Sequence, residues 1–127
     1  MKLLKISQLL LGLLLGTQVM AADIRPFSQQ LFEQLQAAGQ PVLVDVYADW
    51  CPVCLRQEAV LAPMLDEPAL EQLIMLRLDF DTQQAALKRL GVNRQSTLLL
   101  FDEGREIGRV LGETDAGRLR RFIERIH

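Results

Sequence analysis

The chain contains two cysteines, and they stand together in Cys51-Pro52-Val53-Cys54. Thiols three residues apart share one face of a helix. One can attack a disulfide as its thiolate while the other resolves the mixed disulfide that forms. The same spacing supplies half of a four-thiolate zinc site. A purely structural disulfide is a third reading, but it closes a loop too short to restrict the unfolded chain appreciably. Placement favours redox chemistry. The pair directly follows Val42-Leu43-Val44-Asp45-Val46-Tyr47-Ala48-Asp49-Trp50, an apolar run that reads as a buried strand. Thiols at the start of a helix meet unpaired N–H groups and the positive end of the helix dipole, both of which favour thiolate. Such a pair carries two electrons itself, so no metal and no organic cofactor is required.

Within the pair, Cys51 is expected to be the more exposed and to act as nucleophile. Its pKa should fall from ~8.5 towards ~7 through the helix dipole and a bond from the partner thiol. Cys54 is the resolving thiol. Pro52 suits a first helical turn, where its missing N–H breaks no bond. Val53 brings neither charge nor hydrogen bond to the thiolate, which leans the couple towards a reductase. Asp45 is the one charged residue in its strand. It is either a buried carboxylate with a raised pKa, suited to moving a proton, or a residue facing a polar edge. Trp50 reads as a shield beside Cys51 mixed with core packing. Tyr47 and Asp49 are further rim candidates. Arg118, Arg120, Arg121 and Arg125 read as a solvated face, and His127, the sole histidine, has no catalytic partner nearby in sequence.

Stepping outward along the chain, Lys2 and Lys5 precede the apolar run Leu9–Leu15, and Val19-Met20-Ala21 has small residues at the −3 and −1 positions of a cleavage site. Residues 1–21 therefore read as a secretory signal peptide, with an uncleaved membrane anchor as the alternative. The apolar run is shorter than the ~20 residues of a spanning helix. The remaining domain, residues 22–127, holds 12 basic and 16 acidic residues, a net charge of −4. That balance offers no general attraction to nucleic acid. Export implies an oxidising compartment, read as the periplasm.

The elements that must hold the pair alternate closely. Asp23–Arg25 reads as a short strand, and Ser28 as the cap of a helix carrying Leu31, Phe32, Leu35 and Ala38. Gly39 and Pro41 end that helix. Val42–Tyr47 is the central strand. A helix follows from about Cys51 to Leu61, interrupted or ended by Pro63, and a short helical turn from Asp66 to Leu73 comes next. Ile74–Phe80 is a strand and Thr82–Leu90 a helix stopped by Gly91. Thr97–Phe101 and Arg105–Leu111 form a hairpin about Asp102-Glu103-Gly104. Thr114 caps a last helix with Leu119, Phe122, Ile123 and Ile126 on its apolar stripe. The order β-α-β-α-β-α-β-β-α predicts an α/β fold, a mixed central sheet with helices on both faces.

This order, and Val44-Asp45-Val46-Tyr47-Ala48-Asp49-Trp50-Cys51 within it, resembles the thioredoxin family across the whole of residues 22–127. Gly91-Val92, Thr97–Phe101, Gly104 and Gly112 fall at equivalent positions. Tyr47–Cys51, Asp66–Leu70 and Leu78–Asp81 look most like the C-terminal periplasmic domain of DsbD-type thiol:disulfide interchange reductases. The resemblance implies a thioredoxin fold and an exported thiol–disulfide oxidoreductase. Its partners would be cysteine-containing periplasmic proteins, with a membrane thiol reductase as a candidate electron donor. It also implies that Asp45 lies behind Cys54 and moves its proton. Arg77 stands where the family has a lysine. An arginine there could pair with Asp45 and lower its pKa, but could not itself release a proton.

Two departures accompany the likeness. Ala59 replaces the proline that kinks the family's active-site helix. Ser96, in Arg94-Gln95-Ser96-Thr97, replaces its cis-proline. A cis bond before a non-proline residue costs about 2.5–4 kcal/mol, so the Gln95–Ser96 bond is expected to be trans, or strained. In the family this loop faces the cysteines, which places Gln95, Ser96 and Thr97 on the rim with Trp50, Pro52 and Val53. The altered loop leaves a second functional class open: a thioredoxin-fold binding module with little exchange activity. Such a module would bridge a metal or iron–sulfur cluster between two chains, or hold a substrate.

Overall fold

The computed structural model describes Gly16 and residues 22–126. Apart from Gly16, the signal-peptide reading of residues 1–21 lies outside the described residues, as does His127. Among the described residues, no helix is long and apolar enough to cross a membrane.

Five strands form one mixed sheet in the order β1-β3-β2-β4-β5. They are β1 (Asp23–Pro26), β2 (Val42–Tyr47), β3 (Ile74–Asp79), β4 (Thr97–Asp102) and β5 (Arg105–Leu111). β1, β3 and β2 run parallel, while β4 and β5 pair antiparallel. The helices are α1 (Gln29–Ala37), α2 (Pro52–Leu65), α3 (Gln84–Leu90) and α4 (Ala116–Ile123). The mixed sheet expected from the element order is observed, in the thioredoxin fold that the resemblance implies.

Alternation along β2 divides the core. Val42, Val44 and Val46 join Phe32 of α1 and Leu87 of α3 on one face. Leu43 joins Leu61 of α2 and Leu119 of α4 on the other. A strand buried on both faces must be apolar throughout, which makes Asp45 within it a costly exception.

Local signals explain the element ends. The Ser28 hydroxyl accepts the Leu31 N–H at 3.1 Å and caps α1. Gly91 closes α3 at φ 65°. The β4–β5 turn places Glu103 at φ 51° and Gly104 at φ 76°, the two positive values that a tight two-residue hairpin requires.

Several boundaries differ from the sequence expectation. α2 does not stop at Leu61 or break at Pro63, but carries the proline inside and continues to Leu65. Proline within a helix costs about 3 kcal/mol, while burying a Met or Leu side chain returns about 1.5–3 kcal/mol. Met64 and Leu65 are both buried beyond it. Ala59, whose carbonyl loses its helical partner, is on the exposed side where water can reach it. α4 is capped by Asp115, not Thr114: its carboxylate accepts the Arg118 N–H at 2.8 Å. A charged acceptor also favours the helix dipole, as a hydroxyl cannot. The turn after α2 is a short 3-10 segment, Pro68–Leu70, and α3 starts at Gln84 instead of Thr82.

The hairpin turn packs on the end of α1. A Cβ at Gly104 would stand 3.1 Å from the Gln36 carbonyl oxygen. Gly104→Ala should therefore lower stability by roughly 1–2 kcal/mol through strain at positive φ and this crowding. Denaturant unfolding would measure it, and an unchanged midpoint would contradict the packing.

Candidate active site

Three consecutive carbonyls at the end of β2 hold the walls of the site. Val46 accepts the Ser96 N–H at 2.8 Å, Tyr47 the Phe80 N–H at 2.9 Å, and Ala48 the Cys51 N–H at 3.1 Å. The last bond turns the chain so that Cys51 becomes the N-cap of α2, with Pro52 in the first turn. The Cys51 sulfur accepts the Cys54 N–H at 3.1 Å. The two sulfurs are joined as a disulfide, with Cα atoms 5.3 Å apart.

Cys51 was expected to be the more exposed cysteine, and in this disulfide state both residues are buried. Cys51 is 2% exposed and Cys54 6%. As N-cap, Cys51 folds its side chain back over its own helix. It packs with Ala48 and Cys54, and Tyr47, Val53 and Phe80 border the group. Trp50 does not pack in the core. It is 59% exposed, with its indole N–H donating to Asp81 at 2.8 Å. Pro52 and Asp49 are exposed, and Val53 is half-buried.

The loop before β4 faces the pair from the other side. Among the described residues no peptide bond is cis, and Ser96 takes φ 61°, the left-handed region. The bond is trans, the first of the two alternatives expected from sequence, and the residue itself is held where a non-glycine side chain is strained. The Ser96 hydroxyl lies 3.4 Å from each sulfur. Gln95 is half-buried, and the buried Thr97 donates its hydroxyl to the Arg94 carbonyl at 2.7 Å.

One residue at the site was not singled out from sequence. Gln57 is buried on α2, and its amide donates to the Ser96 carbonyl at 3.4 Å and the Glu113 carbonyl at 3.0 Å. It ties the Ser96 loop to the segment before α4. A signal was present: Gln57 is the polar member of the stripe Cys54, Gln57, Leu61, Met64 and Leu65.

Asp45 shares the sheet face of Leu43, which packs on α2, and its register partner on β3 is Arg77. It is buried, so the polar-edge reading fails. The Arg77 Nε is 3.6 Å from Asp45 Oδ2, beyond hydrogen-bond range, and finds no other hydrogen-bond partner. Arg77 also approaches Glu58 at 3.8 Å and lies 3.9 Å above the Tyr47 ring centroid. Burial raises the Asp45 carboxyl to about 6. Arg77 opposes that rise and Glu58 adds to it. Both influences foreseen for Asp45 operate, and desolvation wins because one shared guanidinium at ionic distance cannot replace the lost water.

Two arginines of α4 form ion pairs. Arg118 meets Glu113 at 2.8 Å, and Arg120 meets Glu67 at 2.7 Å. Among the described residues, no group of three or more His, Cys, Asp or Glu side chains is placed to hold a metal.

Comparison with known proteins places this geometry among relatives. The family model described as Thioredoxin matches residues 23–125. A thioredoxin of Chlamydia muridarum is 35% identical over 100 residues, covering 77% of this chain and 93% of its own. The thiol:disulfide interchange protein DsbD of Cronobacter sakazakii is 42% identical over 90 residues. That match covers 64% of this chain but 16% of DsbD. The crystal structure of Trxlp from Edwardsiella tarda superposes with a TM-score of 0.78 at 50% identity, covering 80% of this chain and 98% of Trxlp.

The raised carboxyl has a consequence for stability. Between pH 3.8 and about 6 the folded chain keeps a proton on Asp45 that the unfolded chain has released. This contribution therefore favours folding most at low pH and falls as pH rises through 6, by a total of order 3 kcal/mol. Asp45→Asn should be more stable than the wild type at about pH 8 and equal to it below about pH 4. Unfolding midpoints across that range test this, and parallel curves would refute it.

Proposed function

The chain belongs to the thioredoxin family and is a thiol–disulfide oxidoreductase, and on that premise we propose that it is an exported one, working in the periplasm as a reductant of cysteine-bearing proteins. The observation that carries the chemistry is the Cys51 sulfur at the N-cap of α2, accepting the Cys54 N–H. In the dithiol form that bond and the helix dipole hold Cys51 as thiolate.

The thiolate attacks one sulfur of a partner disulfide. That bond breaks, the other partner sulfur leaves as thiolate and takes a proton, and Cys51 remains in a mixed disulfide. Cys54 gives its proton to Asp45, whose carboxyl near 6 is mostly ionised at neutral pH and retains affinity for a proton. The Cys54 thiolate then attacks the Cys51 sulfur and releases the second partner thiolate. Two electrons pass to the partner, and Cys51–Cys54 becomes the disulfide. A membrane thiol reductase is the proposed source of electrons for the next cycle, supported by the similarity to part of DsbD. The reading of residues 1–21 as a signal peptide supports export. Val53 supports the reducing direction.

Cys54→Ser should accumulate mixed disulfides through Cys51 when incubated with periplasmic proteins, while the wild type reduces insulin disulfides. No trapped partner together with no insulin reduction would overturn the enzymatic reading. A reductase should equilibrate with glutathione at a potential near about −270 mV, an oxidant near about −120 mV. Expressed in full, the chain should appear in the periplasmic fraction with a mass lacking residues 1–21. Cytosolic retention at full mass would remove the export proposal.

A further inference from the structure

Ser96 is held by its backbone in a way that leaves only its hydroxyl to explain. Its N–H is bonded to Val46 of β2, and its carbonyl accepts from the Gly112 N–H at 2.9 Å and from the Gln57 amide. These ties fix a buried, non-glycine residue at φ 61°. Proline could not occupy this conformation: its φ is locked near −65° and it has no N–H for Val46. The trans bond, the positive φ and the bond to Val46 come as a set. Their result is a hydroxyl 3.4 Å from Cys51 Sγ and 3.4 Å from Cys54 Sγ. The hydrogen-bond neighbours of the Ser96 hydroxyl are these two sulfurs.

A hydroxyl offers one donor and two acceptor positions. In the disulfide both sulfurs are neutral and accept weakly, so the donor gains little. In the dithiol a charge-assisted O–H···S⁻ bond becomes available, in a buried site that strengthens it. The oxygen can meanwhile accept from the thiol that keeps its proton. Equal distance to both sulfurs lets the same donor serve Cys51 before attack and Cys54 during resolution.

We propose that Ser96 is a thiolate-stabilising residue of the exchange reaction, donating its hydroxyl to whichever of Cys51 and Cys54 carries the negative charge and so favouring the dithiol over the disulfide. This deepens the proposed function and rests on its reading of Cys51–Cys54 as a working dithiol. It makes the couple more oxidising than Val53 alone suggests.

Ser96→Ala and Ser96→Gly both delete the hydroxyl, and glycine also accepts φ 61° without strain. Both variants should lower the thiolate fraction of Cys51 about tenfold at a given pH below its midpoint, read from alkylation rate against pH. Above the midpoint of the variants, where the thiolate dominates the reduced form, both should also shift the equilibrium with glutathione about tenfold towards the disulfide, ~30 mV more negative. Alkylation profiles and equilibrium constants equal to the wild type in the folded Gly variant would overturn the proposal. Cys51 alkylation needs no partner protein. It therefore stays readable if the wild type fails to reduce insulin, an outcome that would count against the proposed function alone.

Discussion

The carbonyls of Val46, Tyr47 and Ala48 are the anchor of this molecule's chemistry. Each accepts one backbone N–H from a different segment: the Ser96 loop, the end of β3, and the turn into α2. A strand paired on both sides, by β3 and β4, is a rigid place from which to hang three such bonds. Because they leave consecutive residues, the three segments converge within a few ångströms. The sulfur pair, its N-cap geometry and the hydroxyl facing it all follow from that convergence.

The same strand carries the main electrostatic burden. Asp45 sits where every neighbour along β2 is apolar, and its partial partner Arg77 is shared with Glu58 and the Tyr47 ring. A carboxylate satisfied by a close bidentate guanidinium would be inert near neutral pH. Held at ionic distance in a desolvated site, it keeps affinity for a proton. The fold gives up some stability at neutral pH to retain a group that can take one. Val53 and Ser96 act in opposite senses on the couple: one leaves the thiolate without help, and the other supplies a donor from across the cleft.

Much of this was legible from residue order. The CxxC pair after a buried strand, the lone charge at Asp45, the glycine stops and the hairpin turn are local patterns, and each sits where sequence placed it. Most misreadings came where a distant contact outweighed a local rule. Pro63 should end a helix, yet Met64 and Leu65 find core partners beyond it. Thr114 can cap a helix, but the Asp115 carboxylate one residue on does so better. Cys51 should be the more open cysteine, but as N-cap it is buried in the group that Phe80 borders, facing the Ser96 loop. Gln57 takes its part through burial and through carbonyl partners 39 and 56 positions away.

The sequence alone determined the family, the order of elements, the redox pair and the lone carboxylate of β2, because these depend on residue type and short-range spacing. It also showed that proline is absent at position 96. Only the tertiary structure decided what replaces it: a left-handed serine with its hydroxyl against both sulfurs and its carbonyl on Gln57. Those contacts join residues 39 to 45 positions apart. Their geometry is set by how β2, β4 and α2 pack around one another, which no local pattern encodes.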